Sequence, residues 1–171
     1  MSTADLARES FANLRRNSHA VLDGCPTEAL TWRADPDANT IAWLMWHLAR
    51  VQDDHIAHLA GRPQVWTADW ATRLGLAADD DRIGYGDTSE QVGAIAPDGP
   101  APLREYVDAV LDATTEWLDE VTDDADWERI IDRSYDPPVT AGVRLASVID
   151  DNLQHVGQAA FVRGVFERTC R

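Results

Sequence analysis

Apolar residues recur along this chain at the three- and four-residue spacing of helices packed on one side, in four long stretches separated by turn-forming residues. The first, from about Ser2 to Leu22, opens on a Ser-Thr-Ala-Asp cap, carries Leu6, Phe11, Leu14, Val21 and Leu22 toward one side, and closes before Gly24 and Pro26. The second, NTIAWLMWHLARVQDDHIAHLAG, is capped by Asn39 or Thr40. It puts Ile41, Leu44, Met45, Leu48, Val51 and Leu59 on one broad face and stops at Gly61, with Pro63 beyond. The third, from about Pro102 to Val121, holds Leu103, Tyr106, Val107, Val110, Leu111, Thr114, Trp117, Leu118 and Val121 in core spacing. Pro137 and Pro138 exclude a helix in DRSYDPPVTAG, and Thr140 caps the fourth, from about Ala141 to Arg168.

Between about Arg62 and Pro102 the pattern breaks into a segment rich in Gly, Pro and Asp, with one helical turn around Trp70 and another around Gln91. So long an irregular connection inside a compact domain is usually functional. No stretch shows the alternation of a strand, and no internal repeat is present. The pattern predicts an all-α protein, an up-and-down four-helix bundle with a long crossover between helices 2 and 3, in which residues 1–171 form a single domain.

Composition narrows the function classes. At 44% apolar residues the chain is globular in character, and no run approaches the roughly 20 apolar residues that cross a bilayer. The N-terminal MSTADLARESFANLRRNSHA lacks a signal core, so a cytoplasmic location is expected. Cys25 and Cys170 are too few for a disulfide framework and are read as bystanders. A net charge of −15 argues against nucleic-acid binding, which needs clustered Lys and Arg. The acidic runs ADDDR and VTDDADWE lack the alternating ligands of a calcium loop and read as solvated turns.

The candidate chemistry lies on two helix faces. In ASVIDDNLQHVGQAAFVRGVF, Asp151 and His155 are four residues apart and project from the same side of the last helix, together with Val148, Ala159 and Val162. His47 lies in the apolar stripe of the second helix, among Leu44, Met45, Leu48 and Val51. Two nitrogens and one carboxylate oxygen directed inward from two helices make the donor set of a divalent metal site with positions open to water or substrate. The same residues are also consistent with a hydrogen-bonded core histidine and a structural ion pair. His55 is a candidate cleft residue, His58 and His19 read as surface histidines, and Asp54 either orients a ligand imidazole or is solvated.

The stretch NTIAWLMWHLARVQDDHIAHL, followed by DDNLQHVGQAAFVRG, resembles the DinB-like superfamily. The resemblance is strongest to the actinobacterial branch of thiol-dependent metalloenzymes that includes mycothiol-dependent maleylpyruvate isomerase and the mycothiol and bacillithiol S-transferases. WATRLGL, YGDTSEQV and YDPPVTAGVRL also look like this branch, so the resemblance covers most of the chain. It implies a metal held by His47, Asp151 and His155, zinc first, with nickel or manganese as alternatives. Many members have His where this chain has Asp151, and the isomerases have Glu. An aspartate leaves the ion with a net charge of about +1 and a shorter reach.

The implied activity is an S-transferase reaction between a low-molecular-weight thiol, mycothiol in this branch, and an electrophile, in a pocket walled by Trp66, Trp70 and, more weakly, Tyr85, each of which also fits ordinary packing. The isomerase reaction is the lesser version, because that enzyme has a second, C-terminal domain and this sequence ends after its last helix. A homodimer is plausible by the same resemblance. The alternatives from other classes are a non-catalytic metal- or small-ligand-binding stress-response bundle, and a structural bundle that mediates dimerisation.

Overall fold

The computed structural model describes residues 2–170. Its four long helices are α1 (Thr3–Leu22), α3 (Ile41–Ala60), α6 (Pro100–Glu120) and α7 (Ala141–Thr169), with short helices α2 (Thr27–Thr31), α4 (Ala68–Arg73) and α5 (Ser89–Gly93) between them. The helix starts follow from local chemistry. Ser2 and Asp5 form a reciprocal capping box, Thr40 accepts from Trp43 N–H, and Thr140 accepts from Val143 N–H, each satisfying an otherwise orphaned amide. Helix α3 ends at Gly61, whose φ of 64° is the left-handed turn that glycine adopts without strain.

Helix accounts for 66% of the chain, and the all-α four-helix bundle with a long crossover between its second and third long helices is the observed architecture. Helices α1 and α3 each pack between α6 and α7. Interhelix bonds give the directions. Arg8, early in α1, reaches Leu118 and Asp119, late in α6, whereas Arg163, late in α7, reaches the carbonyls of Ala20, Val21 and Asp23 at the end of α1. Thus α1 runs against α6 and alongside α7. Helix α3 runs alongside α6, since Asp53 meets Tyr106 and Arg62 meets Glu120 near the ends of both. A parallel pair of 20-residue helices needs a return path of about 30 Å, and residues 62–99 supply it.

One departure from the sequence reading is a small antiparallel hairpin, β1 (Ile130–Asp132) and β2 (Val139–Thr140), just ahead of α7. Strands of three and two residues are too short to show alternation.

A polar ladder crosses the core. Asn152 Nδ2 donates to Gln52 Oε1 at 2.6 Å, Gln52 Nε2 to Thr114 Oγ1 at 2.7 Å, and the Thr114 hydroxyl to the Val110 carbonyl at 2.8 Å. Such bonds have direction as well as energy, so they hold α7, α3 and α6 in one register. That register sets the first half of α3 opposite the middle of α7.

The crossover is fastened to α3 by buried charge. Arg50, 1% exposed, donates to Gln64 Oε1 at 2.8 Å and to the carbonyls of Asp81 and Arg82 at 3.0 and 3.2 Å, and it stacks on Trp66. Its partner Asp53 lies 3.6 Å away and accepts from Val65 N–H, Trp66 N–H and Tyr106 O–H at 2.8–2.9 Å. Burial pushes the Asp53 carboxyl above its ordinary pKa, against the pull of those donors and of Arg50. Removing the cation strands a buried carboxylate. Arg50→Met is therefore expected to lower urea stability by about 3 kcal/mol or more and to open residues 62–99 to limited proteolysis. A loss under about 1 kcal/mol with an intact crossover would contradict this role.

Candidate metal centre

The register of α3 against α7 brings His47, Asp151 and His155 together, with one potential ligand atom from each lying within 4.8 Å of the others. His47 is 2% exposed, while the side chains of Asp151 and His155 are 20% and 18% exposed, so the group is closed on the α3 side and reachable from solvent on the α7 side. The His47 and His155 rings meet edge to face, with centroids 4.8 Å apart.

Both imidazoles have Nδ1 engaged by an acceptor. The Nδ1 of His47 meets the carbonyl of Ile83; a carbonyl only accepts, so Nδ1 carries the proton and Nε2 keeps its lone pair. His155 Nδ1 donates to Gln158 Oε1 at 2.8 Å, and its Nε2 is turned to Asp151 Oδ1 at 3.5 Å, where a metal ion would take the place of a proton. Trp43 stacks on His47 at 4.5 Å and Tyr85 meets it edge-on at 5.2 Å. Burial lowers the His47 pKa despite the Ile83 bond and the Asp151 charge, so the ring is in the neutral form that a ligand requires. For His155 burial also works against the proton, but hydrogen bonds to Asp151 and Gln158 and the Asp151 charge outweigh it and raise the pKa.

The donor set fits a divalent cation, and one atom carries the test. Five buried side-chain polar atoms among the described residues have no hydrogen-bond partner: Ser18 Oγ, Trp46 Nε1, Trp127 Nε1, Asn152 Oδ1 and Asp151 Oδ2. Only the last belongs to a carboxylate. A buried carboxylate oxygen without a donor is destabilising by more than a neutral orphan, and a cation in front of it removes the deficit. With the two imidazoles grouped beside this carboxylate, the donor set is that of a three-ligand site with an open position.

Other sequence candidates fall elsewhere. Asp150, beside Asp151, is exposed and accepts from Gln154. Trp66 packs on Trp46 and Tyr106, and Trp70 on Tyr106 and Arg73, so both take the packing role rather than walling the triad. Tyr85 does stand against it. Asp54 bonds Gln64 and His55 rather than a triad imidazole, His58 is exposed, and His19 is half-buried against Asp108. Cys25 and Cys170 are unpaired, as bystanders would be.

The sequence reading missed the segment that seats His47. Trp43 Nε1 donates to Asp87 at 2.9 Å, and Arg82 bridges Asp87 and Asp80 at 2.7 and 2.8 Å, so residues 80–87 form a strap against His47. At Gly84, φ is 100°, and a Cβ there would stand 2.5 Å from His47 Nδ1 and 2.9 Å from Trp46. Only glycine lets the Ile83 carbonyl come this close.

The DinB superfamily matches residues 10–159. The chain belongs to that superfamily. Members of this superfamily bind metal, in keeping with the His/Asp/His group. Among solved structures, a conserved protein from Enterococcus faecalis is similar at 27% identity and a TM-score of 0.86, with 95% of this chain and 96% of that one covered. No curated protein matches the chain.

In this DinB-superfamily chain, Gly84→Ala is expected to displace the Ile83 carbonyl and weaken zinc binding roughly tenfold to a hundredfold, the usual range for a partner that orients a ligand imidazole. Helix content by circular dichroism is expected to stay unchanged. Unaltered zinc affinity in a folded Gly84→Ala variant would remove the strap from the account.

Proposed function

We propose that this protein is a divalent-metal-dependent enzyme of the S-transferase type, using a low-molecular-weight thiol, with mycothiol as the thiol of choice and His47, Asp151 and His155 as the metal ligands. The observation that carries the reading is the unpartnered Oδ2 of Asp151, a residue grouped with two imidazoles whose Nδ1 atoms are already engaged. Membership of a metal-binding superfamily supports it, as does the resemblance of the second and last helices to the thiol-dependent branch. Two nitrogens and one oxygen favour zinc, with nickel or manganese as alternatives.

A bound divalent ion would supply Lewis acidity that lowers the pKa of a thiol, so that thiolate is present at neutral pH. The chain's own residues do the rest. Asp151 offsets one unit of the ion's charge, while Ile83 and Gln158 engage Nδ1 of both rings. Trp43 and Tyr85 flank His47 and keep bulk water from it, so that approach is through the α7 side, over Asp151 and His155. In the transfer step a carbon–sulfur bond forms and the bond from carbon to the leaving group breaks, the leaving group departing with the electron pair. The partners in this reading are a small thiol and an electrophile, and the resemblance to the thiol-dependent branch is what suggests a homodimer. No helix among the described residues is long and apolar enough to cross a membrane.

The test is turnover. Zinc-loaded protein is expected to accelerate conjugation of mycothiol or a simpler thiol to 1-chloro-2,4-dinitrobenzene, releasing chloride, and His155→Ala to abolish the acceleration. Zinc-loaded protein that conjugates no thiol to this or other activated halides would overturn the transferase reading while leaving the metal centre standing.

A further inference from the structure

Beside the triad, on the hairpin side, lies an open cleft of about 370 Å³. Its polar lining is Arg144, His55 and Ser147, and its apolar lining includes Tyr85, Tyr135 and Val143, three of the large apolar side chains most open to solvent. The cleft and the triad share a wall, because Tyr85 lines the first and meets His47 edge-on at 5.2 Å.

Arg144 is the one arginine of this lining. The chain has 30 acidic residues against 15 Lys and Arg, yet among the described residues no carboxylate lies within 4.0 Å of this half-buried guanidinium. Its hydrogen-bond contact is the ring of His55, with Nη1 3.1 Å from Nδ1. Burial and the Arg144 charge both lower the His55 pKa, so this neighbour adds no negative charge. The carboxylates that act on Arg144 or on its neighbours His55 and Tyr85 are turned to other groups: Asp54 to Gln64 and His55, Asp132 to the N–H and hydroxyl of Ser134, and Asp151 to the triad. The contrast with Arg163 is informative. That arginine lines a larger cavity of about 510 Å³ between α1 and α7, but it is consumed by Glu167 and three backbone carbonyls. A planar guanidinium left without an anion, beside a cleft with aromatic walls, matches a planar oxyanion carried on an apolar body.

We propose that this cleft binds the carboxylate of a small aromatic or apolar organic acid, paired with Arg144 and laid against Tyr85 and Tyr135, as the second reactant of the enzyme. The assignment of that acid as a reactant rests on the function proposed above; the binding site itself does not. Ser147, one turn beyond Arg144 on the same face of α7, is placed to donate its hydroxyl to the same carboxylate. The occupant's ring would then reach past Tyr85 toward the open side of the triad.

Ligand-observed NMR titration with 4-methylbenzoate and the isosteric, uncharged 4-methylbenzamide tests the proposal on the full chain, both zinc-loaded and treated with chelator. The acid is expected to bind more tightly than the amide in both forms. Arg144→Gln is expected to weaken the acid roughly tenfold to a hundredfold, the range for a hydrogen-bonded charge, while Arg144→Lys retains most of the binding. If Arg144→Gln does not fold, Ser147→Glu, at an exposed helical position, is expected to abolish acid binding by occupying the guanidinium. Equal binding of acid and amide, no binding of either, or acid binding untouched by these variants would overturn the site. Acid binding that vanishes on chelation would also overturn it, since the carboxylate would then be a metal ligand. Failure of the protein to take up zinc would sink the proposed function but leave acid binding to Arg144 as the expected result.

Discussion

The contact between the Ile83 carbonyl and His47 Nδ1 joins the three parts of this molecule. On one side of it is the bundle, which places His47 in a buried stripe of α3. On the other is the crossover, fastened to α3 through Arg50, Asp53 and the indoles of Trp43 and Trp66. Beyond it is the candidate metal centre, because the proton fixed on Nδ1 leaves Nε2 of His47 free to serve as a ligand beside Asp151 and His155. The long irregular segment is therefore part of the site, and the buried ion pair beneath it gains its significance from what it holds in place. Taken alone, a buried pair is weak support for stability, since desolvation offsets most of the attraction.

The bundle was legible in the sequence because its determinants are periodic and local. Leu44, Leu48 and Val51 mark the inner face of α3, Ser2, Thr40 and Thr140 announce three helix starts, and Gly61 announces one end. The same periodicity brought His47, Asp151 and His155 forward as a group and separated Asp151 from Asp150. What stayed hidden was set by distant contacts. Ile83 acts through its carbonyl, which no side-chain pattern reveals, and Gly84 reads as one more turn glycine until the ring against it is seen. Trp66 and Trp70 drew attention as pocket walls because large aromatics in an irregular segment resemble a lining. Their true partners, Tyr106 and Arg50, sit on helices whose register against the crossover is a tertiary property. The hairpin of Ile130–Asp132 with Val139–Thr140 is specified by pairing rather than by alternation.

The charge balance of the chain acquires meaning at the same place. An excess of acids keeps most arginines paired at the surface, as with Arg15, Arg62 and Arg104. Against that background two groups stand side by side: a carboxylate oxygen without a donor at Asp151, and at Arg144 a guanidinium that lines a cleft and has no carboxylate partner. One calls for a cation and the other for an anion, with Tyr85 between them. A metal ion at the first and an anionic small molecule at the second would stand across a single aromatic wall, each held by a separate group, as two-substrate chemistry requires.

The account turns on whether Asp151 Oδ2 faces a metal ion. The most direct measurement is elemental analysis of purified, untagged protein after equilibration with zinc, beside His47→Ala, His155→Ala, Asp151→Asn and, as a control on the same helix, Asp150→Asn. The account predicts about one zinc per chain in the wild type and in Asp150→Asn, and loss of that metal in the other three with helix content retained. A wild-type chain that takes up no zinc, nickel or manganese, or one whose metal survives removal of both His47 and His155, would contradict it.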